Sequence, residues 1–324
     1  MPGPEQAQRC ELTGLIDHSL HTEYSEPGQY TELLAGLPTD PTALSTIARN
    51  LIVHYRASGY ELPVATRNEI NARWLEEILA ADQSRHPYLL EKHRDVRDRV
   101  QGCCRDHTLF CVGVLRTHSV PARSRVGFAG YFVDGWHHDH VIVEAWLDGR
   151  WRRFDPEVDG PRLTLPTPMD IGHSALSNTG FVTAAQVWVG YRNGEINPET
   201  YGVDPQVPLI RGERFLFDEV IHEVAHRFGD ELLLWDTWGR MGKPGEPVNE
   251  GDALWIDPIA ALLLGADQGD QAAEQQLLGH YRSDKGLHPD STVLQVSPYG
   301  DPPVRAQLHP RRYRGVGRTQ SLDS

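Results

Sequence analysis

The chain has 324 residues, of which 39% are hydrophobic and 23% are charged, and its formal net charge is −14. This composition is typical of a soluble globular protein and argues against an intrinsically disordered one. The negative charge argues against a nucleic-acid partner, since such proteins usually carry a basic surface. No apolar run approaches the roughly 20 residues of a membrane span, and the first residues lack the pattern of a secretory signal. We therefore expect a cytoplasmic protein without a membrane partner; the oligomeric state is left open.

Helical periodicity dominates the first third of the chain. Apolar residues recur at helical spacing in two runs within residues 41–81, one after Pro41 and one around Trp74. A more apolar helix is predicted between Gln101 and His118. Because this segment has little polar face, we expect it to be buried.

The pattern then changes to the period of two that is typical of strands. Residues 122–133 alternate between apolar and polar positions and predict a strand. Asp148-Gly149 is a strong signal for a two-residue hairpin turn. It predicts two further strands, at residues 139–147 and 150–155.

This hairpin brings two chemically interesting residues together. The turn pairs Glu144 with Arg153 and Ile142 with the residue at 155, and directly opposed residues share a face of the sheet. His140 and Asp155 therefore become diagonal neighbours with their Cβ atoms roughly 7 Å apart or less. A shift of one residue in the register would put the two on opposite faces, so the prediction is a sharp one.

Helices return in the C-terminal part. After a proline-rich segment at 156–168 we predict a helix at 215–234, a loop at 239–247, two short helices at 253–264 and 271–282, and an irregular tail over the last ~30 residues. Helices, then strands, then helices indicate an α+β fold. The predicted divisions are an N-terminal segment at 1–40, a catalytic domain at 41–235, a helical extension at 236–290 and the tail at 291–324.

Cys104 lies where the buried helix should begin. Backbone N–H groups at a helix start, and a nearby imidazolium, are expected to lower the pKa of such a thiol. Cys104, His140 and Asp155 then fit nucleophilic acyl chemistry. Cys104 attacks a carbonyl, His140 takes the thiol proton and returns it to the leaving group, and Asp155 orients the imidazole.

An oxyanion hole is the remaining requirement of this chemistry. The backbone N–H of Cys104 is a natural first donor. The second donor stays open among Gln101, Asn68 and Asn71.

The residues around these positions resemble the transglutaminase-like superfamily. The matching segments are Gly102-Cys103-Cys104-Arg105-Asp106, Val114-Leu115-Arg116 with Val120-Pro121-Ala122-Arg123, Asp139-His140-Val141, and Trp151 with Asp155. The resemblance implies a papain-like thiol fold that acts on amides or esters, with Cys104, His140 and Asp155 as the catalytic residues. It selects Cys104 over Cys103. Ser119 departs from the pattern, which usually has glycine there.

The C-terminal part resembles, more weakly, a bacterial subgroup of transglutaminase-like proteins through Trp188 and residues 201–203 and 231–236. The full interpretation is an α+β fold with a transglutaminase/papain-like core, in which a buried helix carrying the nucleophile packs on an antiparallel sheet, with helical extensions at both ends. The expected substrate is a small-molecule or peptide amide or ester, and no cofactor is expected. A hydrolase is favoured over an amide-forming acyltransferase because no amine-binding element is identified.

A zinc site is the main alternative. His222-Glu223-Val224-Ala225-His226 matches the zinc-peptidase pattern His-Glu-x-x-His. Helical phase places both imidazoles opposite the apolar stripe, and Glu223 with Arg227 reads as an ordinary surface pair. We therefore expect no metal at His222 and His226. A catalytically silent binding protein on the same fold is the third possibility.

Overall fold

The computed structural model describes residues 16–158 and 180–308. The helices in this part of the chain are α1 Thr31–Ala35, α2 Pro41–Leu51, α3 Leu75–Arg85, α4 Cys104–Thr117, α5 Ala184–Arg192, α6 Glu213–Arg227, α7 Glu250–Asp267 and α8 Gln271–Ser283. Short 3-10 helices lie at Gly28–Tyr30, Val64–Asn71, Val96–Asp98 and Pro198–Thr200. Among the described helices, none is long and apolar enough to cross a membrane.

The strands are β1 Ile52–His54, β2 Val100–Gly102, β3 Ala122–Val133, β4 Trp136–Leu147, β5 Arg150–Phe154, β6 Phe181–Thr183, β7 Tyr201–Gly202, β8 Asp236–Thr237, β9 Thr292–Gln295 and β10 Val304–Gln307. The central sheet has the order β5-β4-β3-β6, with antiparallel neighbours, and β7 pairs with β4 in parallel. Two smaller sheets are formed by β1 with β2 and by β8, β9 and β10. The predicted α+β class is confirmed.

Helix α4 is the buried helix expected between Gln101 and His118. Every residue from Cys104 to Arg116 is buried, and the helix packs on β4 and β3. Its first turn is closed by Asp106, whose Oδ2 accepts the backbone N–H of Cys103 at 2.8 Å. Each large apolar side chain buried here contributes about 1.5–3 kcal/mol, so the core fixes the start of α4 firmly.

The hairpin between β4 and β5 has the predicted register. Trp146 pairs with Trp151 and Glu144 with Arg153. Asp148 and Gly149 both have positive φ angles, 52° and 78°, as the favoured two-residue hairpin turn requires. Strand β5 ends one residue before Asp155, which leaves this carboxylate at the end of the ladder.

Two predicted helical regions have different boundaries. Residues 41–81 contain α2, then β1, a 3-10 helix and part of α3, instead of two helices alone. Helix α6 ends at Arg227 rather than at the predicted residue 234. It stops there because Gly229 takes a positive φ of 86° and the Asp230 N–H returns to the carbonyl of Ala225, a glycine-terminated helix end.

The C-terminal tail is partly regular. We predicted an irregular segment from residue 291, but β9 and β10 form an antiparallel hairpin there. The proline-rich segment lies outside the described residues from 159 onward, as does the tail from 309. One hydrophobic core joins Phe217 of α6 to Leu277 of α8 across the predicted boundary at 235/236. The division into 1–40, 41–235, 236–290 and 291–324 stays a prediction.

Candidate active site

Cys104 is the first residue of α4 and has only 4% of its surface exposed. The hydrogen bond between its thiol and that of Cys103, burial, and the carboxylates of Glu157 and Asp139 raise the pKa of Cys104 well above its ordinary value. The expectation of a lowered pKa is therefore wrong for this arrangement, because these effects outweigh the helix N-terminus. Cys104 is a neutral thiol at neutral pH and needs a base before it can act as a nucleophile.

His140 and Asp155 meet as the hairpin register predicts. Nε2 of His140 lies 2.7 Å from Oδ2 of Asp155, and both side chains are buried. Because a carboxylate only accepts hydrogen bonds, Nε2 carries a proton in this contact. The Nδ1 atom of His140 is left for other partners.

Two further groups hold Asp155. Tyr131 donates its hydroxyl to Oδ2 at 2.6 Å, and the backbone N–H of Glu157 donates to Oδ1 at 2.8 Å. Burial lowers the pKa of His140. Asp155 and Glu157 raise it by more, so the pKa of His140 lies above its ordinary value. Burial and Asp155 also raise the pKa of Tyr131, which therefore remains a hydrogen-bond donor.

The start of α4 is attached to β4 at the level of His140. Oγ1 of Thr108 donates to the carbonyl oxygen of Val141 at 2.9 Å. Val141 also packs in one apolar cluster with Cys103, Cys104 and Val126. The start of α4, which carries Cys104, therefore lies against the part of β4 that carries His140; the thiol hydrogen-bonds to Cys103 and the imidazole to Asp155.

Glu157 and His107 complete this site and were missed from the sequence. Oε1 of Glu157 lies 3.0 Å from Nδ1 of His107, and Oε2 lies 4.0 Å from Nδ1 of His140. Glu157 lies two residues after Asp155 and beyond the end of β5, where the alternation of strand faces gives no signal. Nothing in the local sequence of His107, three residues into the helix from Cys104, distinguished it from a core residue.

The second oxyanion donor is not supplied by Gln101. Its Nε2 donates to the carbonyl of Pro63 and to Oγ1 of Thr66, both at 2.8 Å, which uses both amide hydrogens. Asn71 accepts a hydrogen bond from Nε1 of Trp235, and Asn68 is exposed. The N–H of Cys104 lies in the first turn of α4, where such groups have no partner within the helix.

His222 and His226 lie on α6 in the protein interior. Both ring nitrogens of His226 are used, at 2.9 Å from Oγ of Ser124 and at 3.1 Å from the carbonyl oxygen of Leu232. Burial lowers the pKa of His222 to about 3, and its ring packs edge to face on Trp238. Within residues 16–158 and 180–308, no group of three or more His, Cys, Asp or Glu side chains is arranged to hold a metal ion.

The expected surface pair on α6 is wrong. Glu223 and Arg227 are both buried, and each has other partners. Oε1 of Glu223 accepts from Arg125 at 2.9 Å, and Arg227 binds Asp267 at 2.7 Å. The prediction failed because α7 and α8 supply carboxylates over the face of α6 that helical phase assigned to solvent.

The sequence comparison covers Cys104, His107, His140 and Asp155 of this site. Residues 64–156 match the core domain of the family described as Transglutaminase-like superfamily. A candidate cysteine protease from Cytophaga hutchinsonii is similar over 44% of this chain and 42% of its own length, with 18% identity and a TM-score of 0.29. The chain therefore spans less than half of that protein, and no curated protein matches it. The family match confirms the resemblance found in the sequence: the chain carries a transglutaminase-like core domain at residues 64–156.

Proposed function

We propose that this protein is a cysteine-dependent enzyme that forms an acyl-thioester on Cys104 from an amide or ester substrate. The observation that carries the proposal is the 2.7 Å contact between Nε2 of His140 and Oδ2 of Asp155, beside the helix that begins at Cys104. A nucleophile, a base and a group that orients the base are the three parts that such chemistry needs.

The proposed reaction has two halves. The proton of the Cys104 thiol passes to Nδ1 of His140 as the sulfur bonds to the substrate carbonyl carbon. The C–N or C–O bond then breaks, and His140 returns the proton to the departing amine or alcohol. In the second half water adds to the thioester, the C–S bond breaks, and the free acid and the Cys104 thiol are released.

Water is the favoured acceptor, although an amine would resolve the same thioester to a new amide. The hydrolase is favoured because no amine-binding element is identified around Cys104 within residues 16–158 and 180–308. The zinc peptidase is disfavoured by the two hydrogen bonds that occupy the His226 ring. The silent binding protein shares every feature of the site and differs only in reactivity.

Intact-protein mass spectrometry separates these possibilities. The protein is incubated with a panel of activated esters and amides, with and without a primary amine. We expect a mass increase equal to one acyl group, absent in Cys104→Ala and retained in the matched variant Cys103→Ala. Free acid as the product identifies a hydrolase, and amide formed in the presence of the amine identifies an acyltransferase.

Other outcomes would contradict the proposal. Activity that survives in Cys104→Ala and disappears with a chelator would assign the chemistry to zinc. No adduct with any donor would leave only the binding protein.

A further inference from the structure

A second carboxylate lies beside His140. Asp155 occupies Nε2 of the imidazole, and Oε2 of Glu157 lies 4.0 Å from Nδ1, the nitrogen that faces the reaction in the proposed chemistry. The imidazole is therefore placed between two carboxylates on opposite edges of its ring. Glu157 is part of the site, with 14% of its side chain exposed.

The loop that carries Glu157 is held from two sides. Its own N–H donates to Oδ1 of Asp155 at 2.8 Å. Arg49 of α2 donates to the carbonyl oxygens of Pro156 and Val158, at 2.9 Å each. These bonds fix the backbone on both sides of Glu157, so its carboxylate is placed by the fold.

His107 forms an ion pair with the carboxylate. Its Nδ1 lies 3.0 Å from Oε1 of Glu157 and 2.9 Å from the carbonyl oxygen of Cys103, and its Nε2 lies 3.2 Å from the carbonyl oxygen of Ile52. Since all three partners are acceptors, the doubly protonated ring satisfies both nitrogens. Burial lowers the pKa of His107, but Glu157 raises it more, and the pKa lies above its ordinary value.

A buried positive charge in the first turn of a helix is normally unfavourable, because the N-terminal end already carries partial positive charge. Glu157 balances this charge. The pair also links α4, through His107, to the loop that holds Asp155. One ion pair thereby connects α4, which begins at Cys104, with the loop that carries Asp155.

We propose that Glu157, held by His107, is a positioning residue that makes Nδ1 of His140 a stronger base and keeps Cys104 a neutral thiol until that nitrogen takes its proton. The effect of Glu157 on turnover rests on the proposed function, whereas its effect on the ionisation of His140 and of Cys104 does not. Burial raises the pKa of Glu157, but His54 and His107 lower it to about 2, so it is negative at neutral pH. The other titratable or charged groups that act on Cys104 or His140 are Cys103, Asp139, Tyr131, Asp155 and His54.

This arrangement has a consequence for the proton transfers. A carboxylate near the sulfur opposes formation of the thiolate, and one near Nδ1 favours the imidazolium. The resting enzyme then resists alkylation and oxidation, which require the thiolate. After the thiol proton has moved, the same carboxylate stabilises the imidazolium that protonates the leaving group.

The test is the pH dependence of alkylation of Cys104 by iodoacetamide, followed on the peptide that contains it, and it needs no substrate. In Glu157→Gln we expect the midpoint to fall by about one pH unit, which makes alkylation below the midpoint roughly tenfold faster. In His107→Gln the carboxylate loses its counter-charge, and the midpoint should rise. Glu195→Gln, an exposed site, is the matched control and should follow the wild type.

Glu157→Asp keeps the charge and should keep the wild-type midpoint. An unchanged midpoint in Glu157→Gln would overturn the proposal, because the charge would then have no effect on Cys104. An equal shift in Glu157→Gln and Glu157→Asp would overturn it as well, since packing alone would then explain the shift. Should Glu157→Gln not fold, the direction of the His107→Gln shift decides. A shifted midpoint in these variants without any acyl adduct in the wild type would contradict only the proposed function. An acyl adduct in the wild type with unchanged midpoints in the variants would contradict only this proposal.

Discussion

Tyr131 donates its hydroxyl to Oδ2 of Asp155 at 2.6 Å, the same oxygen that contacts Nε2 of His140. Tyr131 lies where the register between β3 and β4 changes, since three residues of β3 but only one of β4 lie between the pairs Ala129–His138 and Val133–Trp136. Such irregularities re-aim side chains near functional sites. Here the irregular segment directs a phenol to the carboxylate that orients the imidazole.

Removing this hydroxyl should therefore change the behaviour of His140. In Tyr131→Phe, Asp155 loses one donor and becomes the stronger partner of the imidazole, so we expect the pKa of His140 to rise. A hydrogen bond to a charged group contributes about 1.5–3 kcal/mol, and part of that loss should appear as slower acyl-enzyme formation, roughly three- to tenfold. An NMR titration of His140 with the rate of adduct formation checks both. An unchanged titration would show that Tyr131 has no part in orienting the pair.

Asp155 itself should matter far more. Asp155→Asn keeps the shape but removes the charge, so the pKa of His140 should fall and the favoured tautomer should change. In a Ser-His-Asp triad the same replacement lowers the rate by about 10⁴. We expect a loss of about 10³–10⁴ in acyl-enzyme formation here. The measurement is the rate of adduct formation against pH, with exposed Asp134→Asn as the control. A loss below tenfold would contradict the assigned role.

The α+β class and the contact between His140 and Asp155 could be predicted because their signals are local. The Asp148-Gly149 turn fixes the pairing of its strands, and that pairing places His140 beside Asp155. Glu157 was not predicted as a site residue because β5 ends before it, so the alternation of strand faces no longer applied. Its contact with His107 depends on how α4 packs against the sheet, which no local pattern encodes.

Helix α6 shows the opposite failure. Helical phase assigned His222, Glu223 and Arg227 to a solvent face, yet all three are buried. Hydrophobic periodicity identifies only faces that are covered by apolar groups. It gives no information about a face that is covered by charged partners from distant helices, as Asp267 of α7 covers Arg227.

The buried His222 should make the fold sensitive to acid. Its pKa is about 3 in the folded protein and near 6.5 when exposed, so between these values the unfolded chain binds one more proton. The free energy of unfolding should thus fall as the pH falls below about 6.5, by up to about 1.4 kcal/mol per pH unit. Urea unfolding at pH 7, 6 and 5 measures this slope, and His222→Phe should reduce it by that amount. Exposed His93→Gln should keep the wild-type slope, and an equal slope in His222→Phe would contradict the prediction.

Arg125 is the centre of a buried ion network and should be among the most sensitive positions for stability. Its guanidinium lies 2.6 Å from Asp267, 2.9 Å from Glu223 and 3.1 Å from Glu144, and is almost wholly buried. Removing one member of a buried ion pair leaves an uncompensated charge and costs about 3–5 kcal/mol, whereas an exposed pair contributes about 0–1 kcal/mol.

We therefore expect Arg125→Met to lower the free energy of unfolding by about 3–5 kcal/mol in urea titrations. Arg67→Met, which removes an exposed ion pair with Asp301, should change it by less than about 1 kcal/mol. Glu144 still binds Arg123 and Arg153 when Arg125 is replaced, whereas Glu223 loses its arginine partner. The double variant Arg125→Met with Glu223→Gln should therefore recover part of the loss, because it removes the charge of that carboxylate. Equal effects of Arg125→Met and Arg67→Met would show that the network contributes no more than a surface contact.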